Sequence, residues 1–400
     1  MQAHAILSHV VLGYSPVIDR QRAVVATRLS LFPEGPDNGI DGAQLQQLLL
    51  AAWPVPEGGA RKGLALKGGP IGVLISAAGE GLLRSLLAAP VDPYAAVEVP
   101  AFMLEDASVV QAAISRAAAG GVLALGGAPR EALQPPLAAA FGLRVGDAVA
   151  PAGTVPTLCA GIGSAAELDA ALGAGAAAAI GWPFGEVPTR PPGKIQVAPE
   201  LQVIMELMQR VDREEPVDRL EAVLKNDPTL AFRLLRYINS PAFGLSVEIG
   251  SFRHALMILG YQRLERWLAL LLASAGKSPN LKPLMHAAVR RGLLLEELVK
   301  GSGGDAEMRG EVFICGVFSL LDRLLGQPFA DLLRSLPVPQ RVQQALVDED
   351  GPFAPYVQLA QAVEQASVLD IREGAARLMV STAEVNRALL AALTAASQLE

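Results

Sequence analysis

The sequence predicts a multidomain protein that combines the α/β and all-α classes: an N-terminal TIM-like (β/α) barrel and a C-terminal all-helical domain. The chain has 400 residues, which is more than one ordinary hydrophobic core accommodates. Its first part alternates short apolar segments with Ala-rich segments, a pattern typical of a parallel sheet with crossover helices. From Leu201 onward, apolar residues recur at helical spacing.

Composition narrows the possible functions. Hydrophobic residues make up 51% of the chain and charged residues 18%, which favours well-packed domains over disorder. The net charge is −7 and no long basic stripe is present, so the sequence does not indicate a nucleic-acid partner. The two cysteines, Cys159 and Cys315, have no CxxC partner, which indicates a reducing compartment. The N-terminus lacks a basic signal-peptide region and no apolar run suits a membrane span, so we expect a cytoplasmic protein without membrane contact.

Six apolar segments between residues 24 and 182 are candidate strands of the barrel. They are residues 24–32, 71–77, 95–103, 121–127, 154–162 and 176–182. Residues 187–199 are rich in proline, which disfavours helix and is typical of a linker. We therefore expect a barrel domain at residues 1–188, a linker at 189–199 and a helical domain at 200–400.

The helical half begins with recognisable helix signals. Asp227 can cap a helix whose first position is Pro228. Ser251 can cap the next helix, and Gly260 is placed to end it.

Residues 226–274 resemble the HDOD domain family, and residues 316–365 resemble the C-terminal helices of one subgroup of such proteins. The resemblance depends on an Asp-Pro-x-Leu start, an Asn-Ser pair followed by Phe-Gly, and a Ser-x-x-x-Ala-x-x-x-Leu-Gly segment. The motif positions are Asp227, Pro228, Asn239, Ser240, Phe243, Gly244, Ser251 and Gly260. Asn239 and Ser240 have two interpretations, a contact point for a partner or a helix C-terminal cap before Pro241, and the cap is the more common role of such residues.

HDOD domains are similar to metal-dependent HD phosphohydrolases, which need a His-Asp doublet among their metal ligands. This sequence contains no His-Asp dipeptide. His254 lies within a predicted amphipathic helix, and His286 has no acidic partner beside it. Ser319 and Leu320 occupy the region where the doublet is expected. We therefore predict no metal site in the helical half.

The first part, residues 10–190, resembles EAL domains, barrel phosphodiesterases that cleave cyclic di-GMP. The resemblance is carried by residues 14–32 at one end and 158–188 at the other, and together the two halves resemble EAL–HDOD two-domain signalling proteins. EAL chemistry implies two divalent metals held by carboxylates and an Asn, a Lys that orients water, and a signature Arg that contacts phosphate. The chain is shorter than a full EAL domain, which leaves an incomplete barrel as an alternative to a closed one.

Most positions that the EAL resemblance assigns to catalysis carry residues unable to perform it. Arg28 stands at the signature Glu, Phe32 at the Arg, Gly126 and Gly127 at an Asp-Asp pair, Gly161 at the Lys, Gly163 at a late Glu, and Ile180 at a Gln. Glu98 matches a metal-binding Glu, and Ser76 is the polar residue nearest the expected Asn. The resemblance thus implies a degenerate EAL domain, a pseudoenzyme with no catalytic residue, cofactor or metal.

These observations predict a bacterial regulatory protein that acts by protein–protein interaction. The expected contact areas are the apolar barrel mouth and the helical surface from Phe243 to Trp267. The alternative is a cyclic di-GMP receptor without phosphodiesterase activity, in which Arg28 contacts a phosphate. A metal-dependent enzyme is the third and least favoured hypothesis. The HDOD surface is compatible with a homodimer, although no heptad pattern supports one.

Overall fold

The computed structural model describes residues 2–35, 39–54, 63–66, 69–147, 155–185, 199–225, 252–274, 281–332 and 338–399. Two compact units are present, Met1–Glu186 with Gln358–Leu390 and Val187–Val357 with Ala391–Glu400. Within the described ranges, no helix has both the length and the apolar character needed to cross a bilayer.

The first unit is built on a closed barrel of eight strands in the order β1-β10-β9-β8-β7-β6-β5-β2. The barrel strands are β1 (Val10–Ile18), β2 (Val24–Pro33), β5 (Val73–Ala77), β6 (Ala95–Pro100), β7 (Val122–Gly126), β8 (Phe141–Gly146), β9 (Thr157–Ile162) and β10 (Ala178–Gly181). A separate hairpin joins β3 (Leu64–Leu66) to β4 (Gly69–Ile71). The barrel is therefore closed, and the alternative of an incomplete barrel is wrong.

Strand β1 runs antiparallel to both of its neighbours, β2 and β10, whereas the remaining neighbours are parallel. The pairing of Val10 with Pro33 places the start of β1 at the carboxyl end of β2. The first residues of β1 consequently lie at the same end of the barrel as the carboxyl ends of the parallel strands.

Helices accompany the strands along the chain. In this part they are α1 (Gln2–Leu7), α2 (Gly42–Leu50), α3 (Glu80–Ala88), α4 (Ala107–Ala118), α5 (Pro135–Ala139) and α6 (Ala165–Gly173), with a 3₁₀ turn at Ala101–Glu105. Several begin with side-chain caps that satisfy otherwise unpaired backbone amides, such as Asp106 at α4 and the Ser164–Glu167 capping box at α6.

The barrel interior is filled by alternate residues of the strands, as the two-residue period of a strand requires. The inward-facing layer contains Val17, Ala26, Leu74, Ala96, Ala124, Leu158 and Ala178, all buried in one cluster. Residues two positions further along each parallel strand point to the same side, one layer closer to the carboxyl end.

The second unit contains helices only among its described residues. They are α7 (Pro199–Asp212), α8 (Val217–Lys225), α9 (Phe252–Ser274), α10 (Lys282–Gly301), α11 (Ala306–Phe318), α12 (Leu321–Leu325), α13 (Phe329–Leu332) and α14 (Gln340–Gln343), followed by a π turn at Gln344–Asp348. Gly260 has φ 70° and ψ 172°, so it interrupts α9 as the sequence predicts. Pro199 starts a helix, and the rest of the predicted linker lies outside the described residues.

Three further helices close the chain: α15 (Ala354–Gln365), α16 (Val368–Arg377) and α17 (Thr382–Leu399). Their central part, Gln358–Leu390, belongs to the barrel unit, whereas the sequence prediction assigned all of residues 200–400 to one helical domain. The physical reason is a set of direct bonds to the barrel. The most extensive is made by Asn386, whose amide group accepts from the Leu12 N–H and donates to the carbonyls of Leu7 and Val10.

Candidate functional site

In β/α barrels, functional residues lie at the carboxyl ends of the parallel strands. The positions singled out by the sequence follow this rule. Arg28, Ser76, Glu98 and Gly126 each lie two residues after an inward-facing residue of the buried interior layer, in strands β2, β5, β6 and β7. They therefore share one layer near the barrel mouth, which is the end of the barrel where the carboxyl ends of the parallel strands lie.

Arg28 and Glu98 form a bidentate ion pair in this layer. Arg28 Nε lies 2.7 Å from Glu98 Oε2, and Arg28 Nη2 lies 2.9 Å from Glu98 Oε1. The same Nη2 donates to Ser76 Oγ at 3.1 Å. The Glu98 side chain is 7% exposed and the Arg28 side chain 24%, so the pair is shielded from water without being sealed. The mouth is thus charged in its interior, which corrects the expectation of an apolar mouth.

Gly126 is adapted to this pair. A Cβ atom at position 126 would lie 2.8 Å from Glu98 Oε1, so a side chain there would require the Glu98 carboxylate to shift from its present position. Gly127, directly after β7, has φ 81°, and a Cβ there would meet no atom within 4 Å. The two glycines therefore differ: the first leaves room for Glu98, and the second borders open space.

Gly161 has φ 82° at the end of β9, and its Cβ direction is also open. Next to it, Gly163 donates its N–H to Glu167 Oε2 at 2.7 Å. This backbone hydrogen bond, with further bonds from Ser164, lowers the pKa of the Glu167 carboxyl. The Glu167 carboxylate is therefore committed to capping α6.

Phe32 and Ile180 complete the predicted positions. Phe32 is half-buried on β2 opposite Val11, and Ile180 is buried on β10 opposite Val17. Both act as packing residues. The structure therefore brings Arg28, Glu98, Ser76 and Gly126 together, while the other five positions, Phe32, Gly127, Gly161, Gly163 and Ile180, are backbone turns or apolar packing residues.

An aromatic cluster between β1 and the residues that follow β10 was not singled out by sequence reasoning. Tyr14 and Trp182 pack edge to face with ring centroids 5.2 Å apart, and Phe184 stacks on Trp182 at 5.2 Å. Trp182 Nε1 donates to the Glu364 carbonyl at 2.9 Å. The Gly-Trp-Pro-Phe segment in residues 181–184 carries a signal for such a cluster, but its partner at 364 is remote in sequence.

In the helical domain, the HDOD motif positions Asp227, Pro228, Asn239, Ser240, Phe243, Gly244 and Ser251 lie outside the described residues. Trp267, at the end of the expected interaction surface, is 2% exposed and is a core residue. That part of the surface prediction is wrong, because α9 turns Trp267 inward. Met257 on the same helix is exposed.

The region expected to hold a His-Asp doublet contains other polar contacts. Ser319 Oγ accepts from Arg291 Nη1 at 3.0 Å and donates to the Gly316 carbonyl at 2.7 Å. His286 is half-buried on α10. Within the described residues of the whole chain, no group of three or more His, Cys, Asp or Glu side chains is arranged to hold a metal ion.

Partly buried charge also occurs elsewhere in the helical domain. Arg266 forms a bidentate pair with Glu296 at 2.6 and 2.7 Å and lies 3.6 Å above the Phe313 ring. Burial, with the neighbouring Asp212 and Glu311, raises the pKa of Glu265 to about 7. The Arg266–Glu296 pair joins α9 to α10, whereas the charged form of Glu265 is disfavoured in the folded protein; neither feature was predicted from the sequence.

The architecture is thus an eight-stranded β/α barrel with a separate helical domain, and comparison with known proteins identifies the latter. The family described as HDOD domain matches residues 198–327, so an HDOD domain is present there. The chain is similar to a Vibrio cholerae protein named cyclic di-GMP phosphodiesterase CdgJ, with 30% identity over 49% of this chain and 45% of that protein. It is also similar to uncharacterized protein YuxH of Bacillus subtilis, with 26% identity over 40% of this chain and 39% of that protein.

The chain spans less than half the length of both curated relatives that it matches. Among solved structures, an HDOD domain protein of unknown function from Geobacter sulfurreducens covers 44% of this chain and 74% of its own, with 15% identity and a TM-score of 0.30.

Proposed function

We propose that this protein is a non-catalytic signalling protein that acts through protein–protein contacts, and that its barrel is a degenerate EAL domain. The HDOD domain and the similarity to a protein named as a cyclic di-GMP phosphodiesterase support a place in cyclic di-GMP signalling. The observation that carries the non-catalytic part is the Arg28–Glu98 ion pair, because it occupies the layer where EAL-type chemistry requires metal-binding carboxylates.

The residues at this mouth do not fit a pair of divalent cations. Glu98, the single carboxylate of the layer formed with Arg28, Ser76 and Gly126, has both oxygens bonded to the guanidinium. A cation placed beside Glu98 would also face the fixed positive charge of Arg28, which repels it. A Cβ at position 126 would lie 2.8 Å from Glu98 Oε1, so a second carboxylate there would require Glu98 to leave its present position.

The catalytic part of the proposal is tested by incubating the full-length protein with cyclic di-GMP and Mg²⁺ or Mn²⁺ and following linear pGpG by chromatography. We expect no turnover above the buffer rate. Metal-dependent hydrolysis that is abolished in Glu98→Gln would contradict the proposal. Hydrolysis retained in Glu98→Gln would indicate a contaminating phosphodiesterase, and a repurified sample should then be silent.

If the protein acts through protein–protein contacts, the tagged full-length protein should co-purify from its source cells with a defined partner protein in near-stoichiometric amount. A mock purification with an unrelated tagged barrel protein is the control. Purification of the chain alone at several salt concentrations would contradict this function.

A receptor for cyclic di-GMP is the second candidate, and one observation favours it: Arg28 is 24% exposed at the mouth and can present its guanidinium to a phosphate. Calorimetric titration of cyclic di-GMP, with and without Mg²⁺, tests this candidate. A saturable isotherm weakened at least tenfold by Arg28→Ala, and unchanged by the exposed Arg130→Ala, would establish a receptor. No heat at high nucleotide concentration would exclude it and leave partner recruitment.

A further inference from the structure

The segment Gln358–Leu390 lies against the barrel at the end where functional residues of β/α barrels are placed. Its contacts are with β1, with the residues that follow β10, and with the residue that follows β2. Asn386 binds Leu7, Val10 and Leu12 around the start of β1, and Trp182 binds Glu364. Arg372 forms an ion pair with Glu34 at 2.6 Å. The segment therefore covers the β10–β1–β2 sector of the mouth.

Gly13 shows how closely this cover approaches the barrel interior. Gly13 pairs with Ser30 in the β1–β2 ladder, and directly opposed residues of an antiparallel pair point to the same face. That face is the inner one, because Ser30 lies two residues beyond Arg28. A Cβ built on Gly13 would lie 2.5 Å from the Cβ of Ala366. Ala366 thus sits over the inner face one layer above the Arg28–Glu98 pair.

The cover is helical, packs through buried apolar side chains such as Leu359, Val363 and Ile371, and contains two non-glycine residues with left-handed backbone. Ala366, which connects α15 to α16, has φ 53°, and Met379, which follows α16, has φ 55°. Left-handed backbone at a non-glycine residue costs about 1 kcal/mol or more. On the outside of the segment, Leu369 and Met379 are exposed apolar side chains. The segment is therefore docked on the barrel without being woven into its strand ladder.

We propose that Gln358–Leu390 is an intramolecular ligand of the barrel mouth, a displaceable cover that any ligand or protein partner of this sector must remove. The proposal goes beyond the signalling function, because it holds whether the partner of the mouth is a nucleotide or a protein. Its physical basis is direct competition: the cover already occupies the inner-face position above Arg28 and bonds the aromatic edge at Trp182.

The test uses a wedge at Gly13 in the full-length chain. Gly13→Val places methyl groups where Ala366 packs and should push the cover away without removing any polar contact of the barrel. The matched control is Gly142→Val on β8, because a Cβ at 142 meets only Val122, at 3.9 Å. Asn386→Ala loosens the cover from its other side and serves as a second variant should Gly13→Val fail to fold.

Hydrogen–deuterium exchange followed by mass spectrometry is the readout. In Gly13→Val and in Asn386→Ala we expect amides of residues 358–390 to exchange at least tenfold faster, while strands β5–β7 keep the protection seen in the parent and in Gly142→Val. Unchanged exchange of 358–390 in a folded wedge variant would overturn the proposal. Parallel loss of protection in β5–β7 would overturn it too, because the segment would then be a structural part of the barrel.

Access to the mouth is measured separately by thiol labelling. Ser30→Cys is introduced into a chain in which the buried Cys159 and Cys315 are Ser, since Ser30 is 8% exposed and lies on the covered face. N-ethylmaleimide should label Cys at 30 slowly in this parent and at least tenfold faster when Asn386→Ala is added. Equal rates would contradict a cover over this face. These outcomes do not depend on cyclic di-GMP turnover or binding, so they are distinguishable from failure of the proposed function.

Discussion

The Arg28–Glu98 ion pair should contribute to the free energy of unfolding, and this expectation does not depend on the signalling function. Glu98→Gln leaves the largely shielded Arg28 guanidinium without its counter-charge, and we expect the free energy of unfolding to fall by about 2–4 kcal/mol. Urea denaturation monitored by circular dichroism measures the change. The double variant Arg28→Met with Glu98→Met should recover most of the loss, because an apolar pair needs no desolvation of charge.

A matched control is provided by Arg130 and Glu105, which form an ion pair at 2.9 Å with side chains 84% and 64% exposed. Arg130→Met should change stability by less than about 1 kcal/mol, since exposed pairs contribute little. Equal losses at Glu98 and Arg130 would show that the interior pair is not energetically distinct from a surface pair.

The raised pKa of Glu265 should make the free energy of unfolding depend on pH. Burial beside Asp212 and Glu311 raises the pKa of its carboxyl from 4.5 to about 7, so the folded protein binds this proton more tightly than the unfolded chain. Stability from this group is therefore fully present below about pH 4.5 and is lost as the pH rises through about 7. Glu265→Gln should be more stable than the parent by about 1–3 kcal/mol at pH 8 and nearly equal at about pH 4. Urea midpoints at both pH values measure this, with the exposed Glu307→Gln as control.

At the scale of residues, the sequence identified most of the mouth but not its chemistry. The EAL resemblance led to Arg28, Ser76, Glu98 and Gly126, and the structure places all of them in one layer. It did not predict that Arg28 and Glu98 bind each other, because strands β2 and β6 are separated by β5 in the sheet. Their meeting depends on side-chain length across a closed barrel, which a linear pattern does not contain.

At the scale of elements, Arg116 of α4 stabilises the C-terminal end of the neighbouring helix α3. Its guanidinium, buried at the end of α4, donates to the carbonyls of Leu86 and Ala89 at the end of α3 and to Gln46 of α2. Arg116→Met would leave these carbonyls unsatisfied, and we expect a loss of about 2–4 kcal/mol. Chemical denaturation measures it, and the exposed Arg84→Met on α3 should have less than a quarter of the effect.

Six of the eight barrel strands were predicted because their apolar runs are short and bounded by helices or turns. Strand β8 was not predicted, although residues 141–146 alternate buried and more exposed positions in the way a strand requires. Strand β1 was also missed, since Gly13 and Pro16 interrupt its pattern. By contrast with the two missed strands, the interruption of the helix at Gly260 was predicted, because a glycine backbone can adopt φ 70°.

At the scale of the whole molecule, the barrel unit is discontinuous in sequence, which predicts that it depends on residues after the HDOD domain. A chain ending at Val357 loses the bonds from Asn386 and Glu364 and uncovers the Tyr14–Trp182–Phe184 cluster. We expect the truncated barrel to fold with an unfolding midpoint lowered by more than 1 M urea and to bind the dye ANS. An unchanged midpoint with no dye binding would show that the segment contributes nothing to the barrel.

This discontinuity was not predictable from the sequence. Helical periodicity continues from residue 200 to the C-terminus, so nothing in the pattern separates Gln358–Leu390 from the helices before it. The decisive contacts are made by single residues, such as Asn386 and Ala366, at positions more than 350 residues from their partners. Local propensity carries no information on such pairs.

The bonds of Asn386 also set an order of events on the ribosome. Leu12 is made early, and the side chain that binds its amide follows 374 residues later. At ordinary rates of translation, roughly 20 to 75 s separate the two. During that interval the HDOD domain is completed, while the β10–β1–β2 sector of the barrel mouth lacks its cover. The start of β1 therefore acquires its final hydrogen bonds only after residue 386 has been synthesised.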